Sequence, residues 1–215
     1  MSNVPAAALR PDGPTRPDPA RGVGATLLVA GGRVHDLDAH LRRLAESAGS
    51  AFGVRPPGDL REELLRLGAA GARVRVQVRP DGSTRVSSFP FTPPVPTDVP
   101  VRLVPFVLPG GLGKHSWNDR RLADDLRARA GDGAVPLLVE PDGEVLEAVG
   151  AAVLLIEGDR LIGAPLDDRR LPAVSASRLP VVARQPFDLG RLERADRVVI
   201  TSSLNGVQVA AFSGV

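Results

Sequence analysis

Two spacings of apolar residues alternate along this chain, and they predict a mixed α and β molecule. Thr26-Leu27-Leu28-Val29-Ala30 is a short apolar run of strand type, and Gly31-Gly32 turns it back into Arg33-Val34. From Asp38, the expected helix cap, Leu41, Leu44, Ala45 and Ala48 recur at helical spacing through about Phe52. A second helix is expected from Asp59 to about Leu67, with Leu60, Leu64 and Leu67 turned inward. Val74, Val76 and Val78 then alternate with Arg73, Arg75 and Arg79, the period of a half-buried strand. Pro80-Asp81-Gly82 turns that strand into Ser83 to Phe89.

Beyond a connection over residues 90 to 100, which holds five prolines, Val101 to Val107 reads as another strand. Glycines at 110, 111 and 113 mark a joint. A helix is expected from Asn118 to about Ala130, stopped by Gly131. Strands follow at 135 to 139, 144 to 148 and 151 to 156, and again near 180 to 184, 197 to 202 and 207 to 212, with an irregular stretch over 161 to 179. The fold class is therefore α+β in two units: residues 23 to 108, a joint at 109 to 113, and a larger unit over 114 to 215. Residues 1 to 22, rich in proline, alanine and arginine and without periodicity, read as a mobile arm.

Composition narrows the chemistry. The net charge is only +2, aromatic residues make up 3%, and arginines are interleaved with acidic residues. Neither the basic stripe nor the stacking rings of a nucleic-acid binder are present. There is no cysteine, and His35, His40 and His115 lack metal-ligand spacing, so no metal site is expected. No apolar run could span a membrane as a helix, which makes a cytoplasmic location the expectation. One lysine, Lys114, stands against 26 arginines. A primary amine condenses with a carbonyl and a guanidinium does not, so covalent amine chemistry in this chain falls to Lys114.

Four segments in a fixed order resemble the fold-type-IV pyridoxal-phosphate enzymes, the class IV aminotransferases together with 4-amino-4-deoxychorismate lyase. They are His40-Leu41-Arg42-Arg43-Leu44; Lys114 with Asn118; Leu137 through Glu147, holding the Asp142-Gly143 turn; and Ala195 through Val207. Ala164-Pro165-Leu166-Asp167 and Leu171-Pro172-Ala173-Val174-Ser175 add two further matches, so the resemblance spans roughly residues 24 to 213. It implies two α+β domains with a cofactor cleft between them, a homodimer, and a small amino compound as substrate.

The resemblance also implies roles. Lys114 would form a Schiff base with pyridoxal phosphate, and Glu147 would keep the pyridine nitrogen protonated. Arg43 would bind the phosphate, and Val174, Ser175, Ser203 and Leu204 would add amides and hydroxyls to it. The reaction would be transamination or an elimination of the aminodeoxychorismate-lyase kind. His115-Ser116-Trp117-Asn118-Asp119-Arg120-Arg121-Leu122 admits a second register, however, in which the lysine position is Ser116. Ala151-Ala152 stands where the resemblance implies Ser-Asn or Ala-Asn, and the phosphate-facing helix after Ser175 is cut short by Pro180. The alternative expectation is therefore a degenerate member that keeps the fold and the dimer and binds a small anion or a partner protein.

Overall fold

The computed structural model describes residues 11, 15–67, 72–95, 97 and 99–212. A four-stranded antiparallel sheet in the order β2-β1-β3-β4 forms the smaller unit, from β1 (Val23–Ala30), β2 (Arg33–Val34), β3 (Ala72–Val78) and β4 (Thr84–Pro90). Its register sets Ala25 opposite Val76 and Leu27 opposite Val74, so the inward residues of the two central strands align. The buried faces of α1 (Leu37–Phe52) and α2 (Leu60–Arg66) close this core through Leu37, Leu44, Ala48, Leu60 and Leu64.

Two details of α1 differ from expectation. Ala45 is exposed, and the buried stripe runs Leu37, His40, Leu44, Ser47 and Ala48, one step round the helix. Asp38 is not the cap. The helix begins at Leu37 after Asp36, which sits at φ 54°, and Asp38 pairs with Arg61 of α2 instead.

The larger sheet has eight strands in the order β10-β9-β8-β11-β12-β5-β6-β7. They are β5 (Val101–Val107), β6 (Ala134–Val139), β7 (Val145–Ala148), β8 (Ala152–Glu157), β9 (Arg160–Gly163), β10 (Val181–Arg184), β11 (Arg197–Ser202) and β12 (Gly206–Phe212). Helix α3 (Arg121–Ala130) packs through Leu122, Ala123 and Leu126 with Phe106, Leu138 and Leu146. A short α4 (Leu189–Arg194), absent from the sequence reading, joins a second cluster with Leu137, Val153 and Ile200. Strand β5, grouped above with the first unit, pairs in parallel with β6 and β12 inside the larger sheet. The units therefore part earlier, along the proline-rich connection, where proline removes the ladder donors. The stretch 161 to 179, expected to be irregular, opens with β9 and closes with a single 3-10 turn, Ser175–Arg178.

Helix α3 starts at Arg121, three residues later than expected, because Asn118 and Asp119 serve the joint instead. Asn118 Nδ2 donates to the carbonyls of Arg21 (3.1 Å) and Val23 (2.8 Å). A Cβ at residue 24 would stand 2.5 Å from Asn118 Oδ1, so this close approach needs the glycine found there. The buried Asp119 carboxylate accepts from Arg121 Nε (2.9 Å), Arg121 Nη2 (2.8 Å) and the Asp18 amide (2.9 Å). Those bonds, with the Arg121 contact foremost, hold its pKa far below the usual carboxylate range. The expected arm over 1 to 22 is thus corrected in part: Asp18 is tied to Asp119, Arg16 donates to the carbonyls of Gly111 and Pro109, and Pro19–Arg21 form a 3-10 turn. Residues 1–10 and 12–14 lie outside the described residues. Among the described residues no helix is long and apolar enough to cross a membrane.

Candidate active site

Glu147 on β7 sits at the meeting point of two cavities. Its Oε2 accepts a 3.4 Å bond from the Leu171 amide, while Oε1 is buried without a partner among the described residues. Burial pushes its carboxyl up to about 8, against smaller opposing contributions from the Leu171 amide and from Arg170 and Arg43. An uncompensated buried oxygen of this kind is costly. It marks a place where a ligand donor would be welcome.

The outer cleft, about 200 Å³, has Arg43, Glu147, Leu154, Pro172, Val174 and Ser177 among its walls. Arg43 comes from α1 and donates 2.9 Å to the Pro172 carbonyl. Burial lowers its pKa, and Glu147 acts in the opposite sense. The loop that closes this cleft is clamped by Arg170, only 4% exposed, which pairs with Glu144 and Asp167 and donates 3.1 Å to the Leu146 carbonyl. A buried guanidinium bonded through all three of its nitrogens holds a loop firmly. Val174 lines the same cleft as Arg43.

On the other side of Glu147 lies an inner pocket of about 50 Å³, lined by His115, Ser116, Trp117, Arg120 and Leu171 among others. The register of residues 116 to 118 is fixed by backbone bonds to the start of β1. Gly24 N donates 2.7 Å to the Ser116 carbonyl, and Asn118 N donates 2.9 Å to the Gly22 carbonyl. Ser116, with its neighbours His115 and Trp117, therefore shares a pocket with Glu147, and Lys114 does not. The sole lysine is placed differently. Lys114 Nζ lies 3.1 Å from Asp168 Oδ1, with the two side chains 42% and 84% exposed, and Lys114 lines neither cavity. The expectation that Lys114 faces the cleft beside Glu147 and Arg43 does not match this arrangement, because the strand-like bonds of Ser116 and Asn118 set the register two residues on.

The remaining residues implied by the resemblance divide. Ser175 is buried in the turn beside β11, next to the cleft but not on its wall. Ser203 and Leu204 lie in the tight turn from β11 to β12, closed by the Ser202–Gly206 pair and by Asn205 N donating to Ser202 Oγ (3.1 Å), and they line neither cavity. Among the described residues no group of His, Asp and Glu could hold a metal ion. Arg120, Leu171 and Arg170 shape the two cavities and were not singled out from sequence.

Arg120 is a half-buried guanidinium that takes no hydrogen bond or ion pair among the described residues. Burial, then the positive charges of Arg127 and Arg75, push it down to about 10. His115 is also held below its ordinary value, by burial and by Lys114 beside it, and its Nδ1 is buried without a partner among the described residues.

A family model described as amino-transferase class IV matches residues 22–212. Among solved structures, a Mesorhizobium loti protein described as an amino-acid aminotransferase is 25% identical, with a TM-score of 0.78 over 89% of this chain and 99% of that one. The 4-amino-4-deoxychorismate lyase of Pseudomonas aeruginosa is 22% identical, with a TM-score of 0.72 over 97% of this chain and 88% of the lyase. A hypothetical aminotransferase from Mycobacterium tuberculosis, in its PLP-bound form, is 18% identical, with a TM-score of 0.70 over 91% and 82%. The latter two, below 25% identity, carry the fold alone. No curated protein matches this sequence.

Proposed function

Since the chain belongs to the amino-transferase class IV family, we propose that it is a pyridoxal-phosphate-dependent enzyme acting on a small amino compound, as an aminotransferase or as a lyase of the aminodeoxychorismate type. The observation that carries this reading is the unpartnered, buried Oε1 of Glu147 in a cleft that also holds Arg43. The holding residues fit the cofactor. Glu147 would hold the ring nitrogen's proton, Arg43 would bind the phosphate with a charge-assisted bond, and Val174 lines the same cleft. When bound, pyridoxal phosphate supplies an electron-withdrawing ring to an amine substrate. Apolar Leu154 and Leu171 line the cavities and would keep water from a bound ring, and the Arg170 clamp keeps the Leu171 loop in place. A homodimer belongs to the same proposal and is tested by sedimentation.

The amine is the part that fits least. In this reading Lys114 is the covalent anchor, so its Nζ has to leave Asp168 and turn inward past His115. A second reading is favoured by Ser116, which lines the inner pocket together with Glu147: the protein binds the cofactor or a related anion without covalent capture. The test is a visible absorbance spectrum of the purified protein with added pyridoxal phosphate, then borohydride reduction and peptide mapping. A reduced label on Lys114 supports the enzyme. Saturable binding with no label, unchanged by Lys114→Ala, supports the second reading. No binding at all overturns both.

A further inference from the structure

Glu147 follows an irregularity in the strand that carries it. Strand β7 lies at one end of the larger sheet, with β6 as its neighbour. In that ladder Leu138 stands opposite Glu147 and Val139 opposite Val145, so Leu146 is an extra residue. A bulge of this kind bends the strand and re-aims the side chains beside it. It also interrupts the ladder, so backbone carbonyls there need partners from elsewhere. Arg170 supplies them. Its Nε donates 3.1 Å to the Leu146 carbonyl, and its Nη2 donates 3.3 Å to the Val145 carbonyl. The next residue, Leu171, presents the amide that Glu147 Oε2 accepts at 3.4 Å. The neighbouring arginine is used differently. Arg169 binds Glu144 and Asp167, the same two carboxylates that Arg170 takes, and adds Glu140. Its three nitrogens go to carboxylates, it lines neither cavity, and the bulge carbonyls are left to Arg170.

We infer that Arg170 is a positioning residue: by holding the Val145–Leu146 bulge and the Leu171 amide, it aims the Glu147 carboxyl at the ring nitrogen of a ligand in the outer cleft. The ring nitrogen as target rests on the proposed cofactor reading; the hold of Arg170 on Glu147 is a property of the chain alone. Position and protonation are linked here. The Leu171 amide and Arg170 both favour the charged carboxylate, against the burial that pushes it up to about 8. Loss of Arg170 removes one of these contributions and loosens the other. The carboxyl then keeps its own proton to higher pH and gives less of it to a ring nitrogen. Glu144 and Asp167 pair with the guanidinium, which is what allows a charge to stay at this buried position.

The test has one arm without cofactor and one with it, both on the full chain. In the first, carboxyl carbon-13 NMR of the cofactor-free protein follows the titration of Glu147, identified as the signal missing from Glu147→Gln. Arg170→Met should raise the midpoint above that of the wild type by about one pH unit, a tenfold gain in proton affinity. Arg169→Met, which disturbs the same carboxylates, should leave it in place. In the second arm, titration calorimetry near pH 7 compares pyridoxal phosphate with its 1-deaza analogue, which has CH in place of the ring nitrogen. The wild type is expected to prefer pyridoxal phosphate by about tenfold, the scale of a charge-assisted bond. Arg170→Met should erase most of that preference, whereas a loop merely loosened would weaken both ligands alike. Arg170→Lys, which keeps the charge and loses the fork, should fall between in both arms and serves if the methionine variant fails to fold. A midpoint and a preference unmoved in a folded Arg170 variant, or equal shifts in Arg169→Met and Arg170→Met, overturn the inference. Failure of the wild type to bind either ligand overturns the cofactor reading and the ring nitrogen as target; the first arm then still confirms or overturns the hold of Arg170 on Glu147.

Discussion

The outer cleft and the inner pocket share two wall residues, Glu147 and Leu171, and differ in almost everything else. The outer cleft is roughly four times larger, has apolar walls from β8 and the loop beyond β9, and takes Arg42 and Arg43 from a helix of the smaller unit. The inner pocket is built from the segment that joins the two units, where backbone bonds to β1 leave no slack. Its cation, Arg120, precedes α3 of the larger unit. A large cavity with arginines on its walls suits a flat, phosphorylated ring. A small one with an unpaired guanidinium suits a single anionic group. Glu147 is the group on which both depend, and its buried, half-satisfied carboxyl makes the partition testable.

The largest expected effect follows from that carboxyl. Glu147 titrates near 4.5 in an unfolded chain and is pushed up to about 8 when folded. Between those values the folded state binds the extra proton, so stability falls as pH rises from about 4.5 and levels off above about 8. The loss is at most about 5 kcal/mol. In melts of cofactor-free protein from pH 4.5 to 8.5, Glu147→Gln should flatten this decline. It should also weaken pyridoxal phosphate binding at least tenfold by leaving the ring nitrogen without a proton partner. A decline that persists in Glu147→Gln would mean the two cavities do not meet at an uncharged carboxyl.

His40 tests the outer wall from behind and with the opposite sign. It is buried on α1, three residues before Arg43, and neither ring nitrogen has a partner among the described residues. Burial, then Arg43 of its own helix and Arg178 of the turn packed nearby, lower its pKa to about 4. The unfolded chain takes up the proton first, so stability is full above about 6.5 and is lost as pH falls through 4, by roughly 3 kcal/mol. His40→Leu should remove this acid limb and leave the alkaline one untouched. Together the two groups place maximum stability between about pH 4.5 and 6.5.

How much of this was legible in the sequence depends on what each residue's role requires. Val74, Val76 and Val78 announced β3 because a half-buried strand writes its period into the chain. Val101 to Val107 announced a strand but not its neighbours, since an apolar run carries no record of which sheet it joins. Helix α4 is six residues long, too short for its two buried leucines to establish a period. Arg43 and Glu147 were visible through resemblance, and both line the outer cleft. Arg120 was not, because in Asp119-Arg120-Arg121 only the folded geometry decides which arginine the aspartate takes. Lys114 stood out by its rarity, whereas the backbone bonds of Ser116 and Asn118 that set the register are invisible in composition.

Arg43 lines the outer cleft and not the inner pocket, and its effect is smaller. Arg43→Ala should weaken pyridoxal phosphate binding by about tenfold to fiftyfold, the scale of one charge-assisted bond, and leave pyridoxal, which lacks the phosphate, unchanged. The preference for pyridoxal phosphate over its 1-deaza analogue should not move, because both carry the phosphate. If that preference collapsed as well, Arg43 and Glu147 would not act on separate parts of the ligand.

The smallest effect concerns Lys114. Its pair with Asp168 is exposed on both sides and sits outside both cavities. Such a pair contributes about 0–1 kcal/mol, so Asp168→Asn should change the melting temperature by a few degrees at most. What the substitution alters is the freedom of the amine. If Asp168 alone kept Lys114 from the cleft, releasing it should increase borohydride-stable labelling of Lys114 by pyridoxal phosphate several-fold at unchanged cofactor affinity. If the register set by Gly24 and Ser116 is what keeps it out, labelling should stay where it was. Ser116→Lys, which places an amine in the pocket with Glu147, should then label at position 116. Labelling at 116 in that variant, with none at 114 in Asp168→Asn, would locate the family's amine position two residues beyond the only lysine the chain carries.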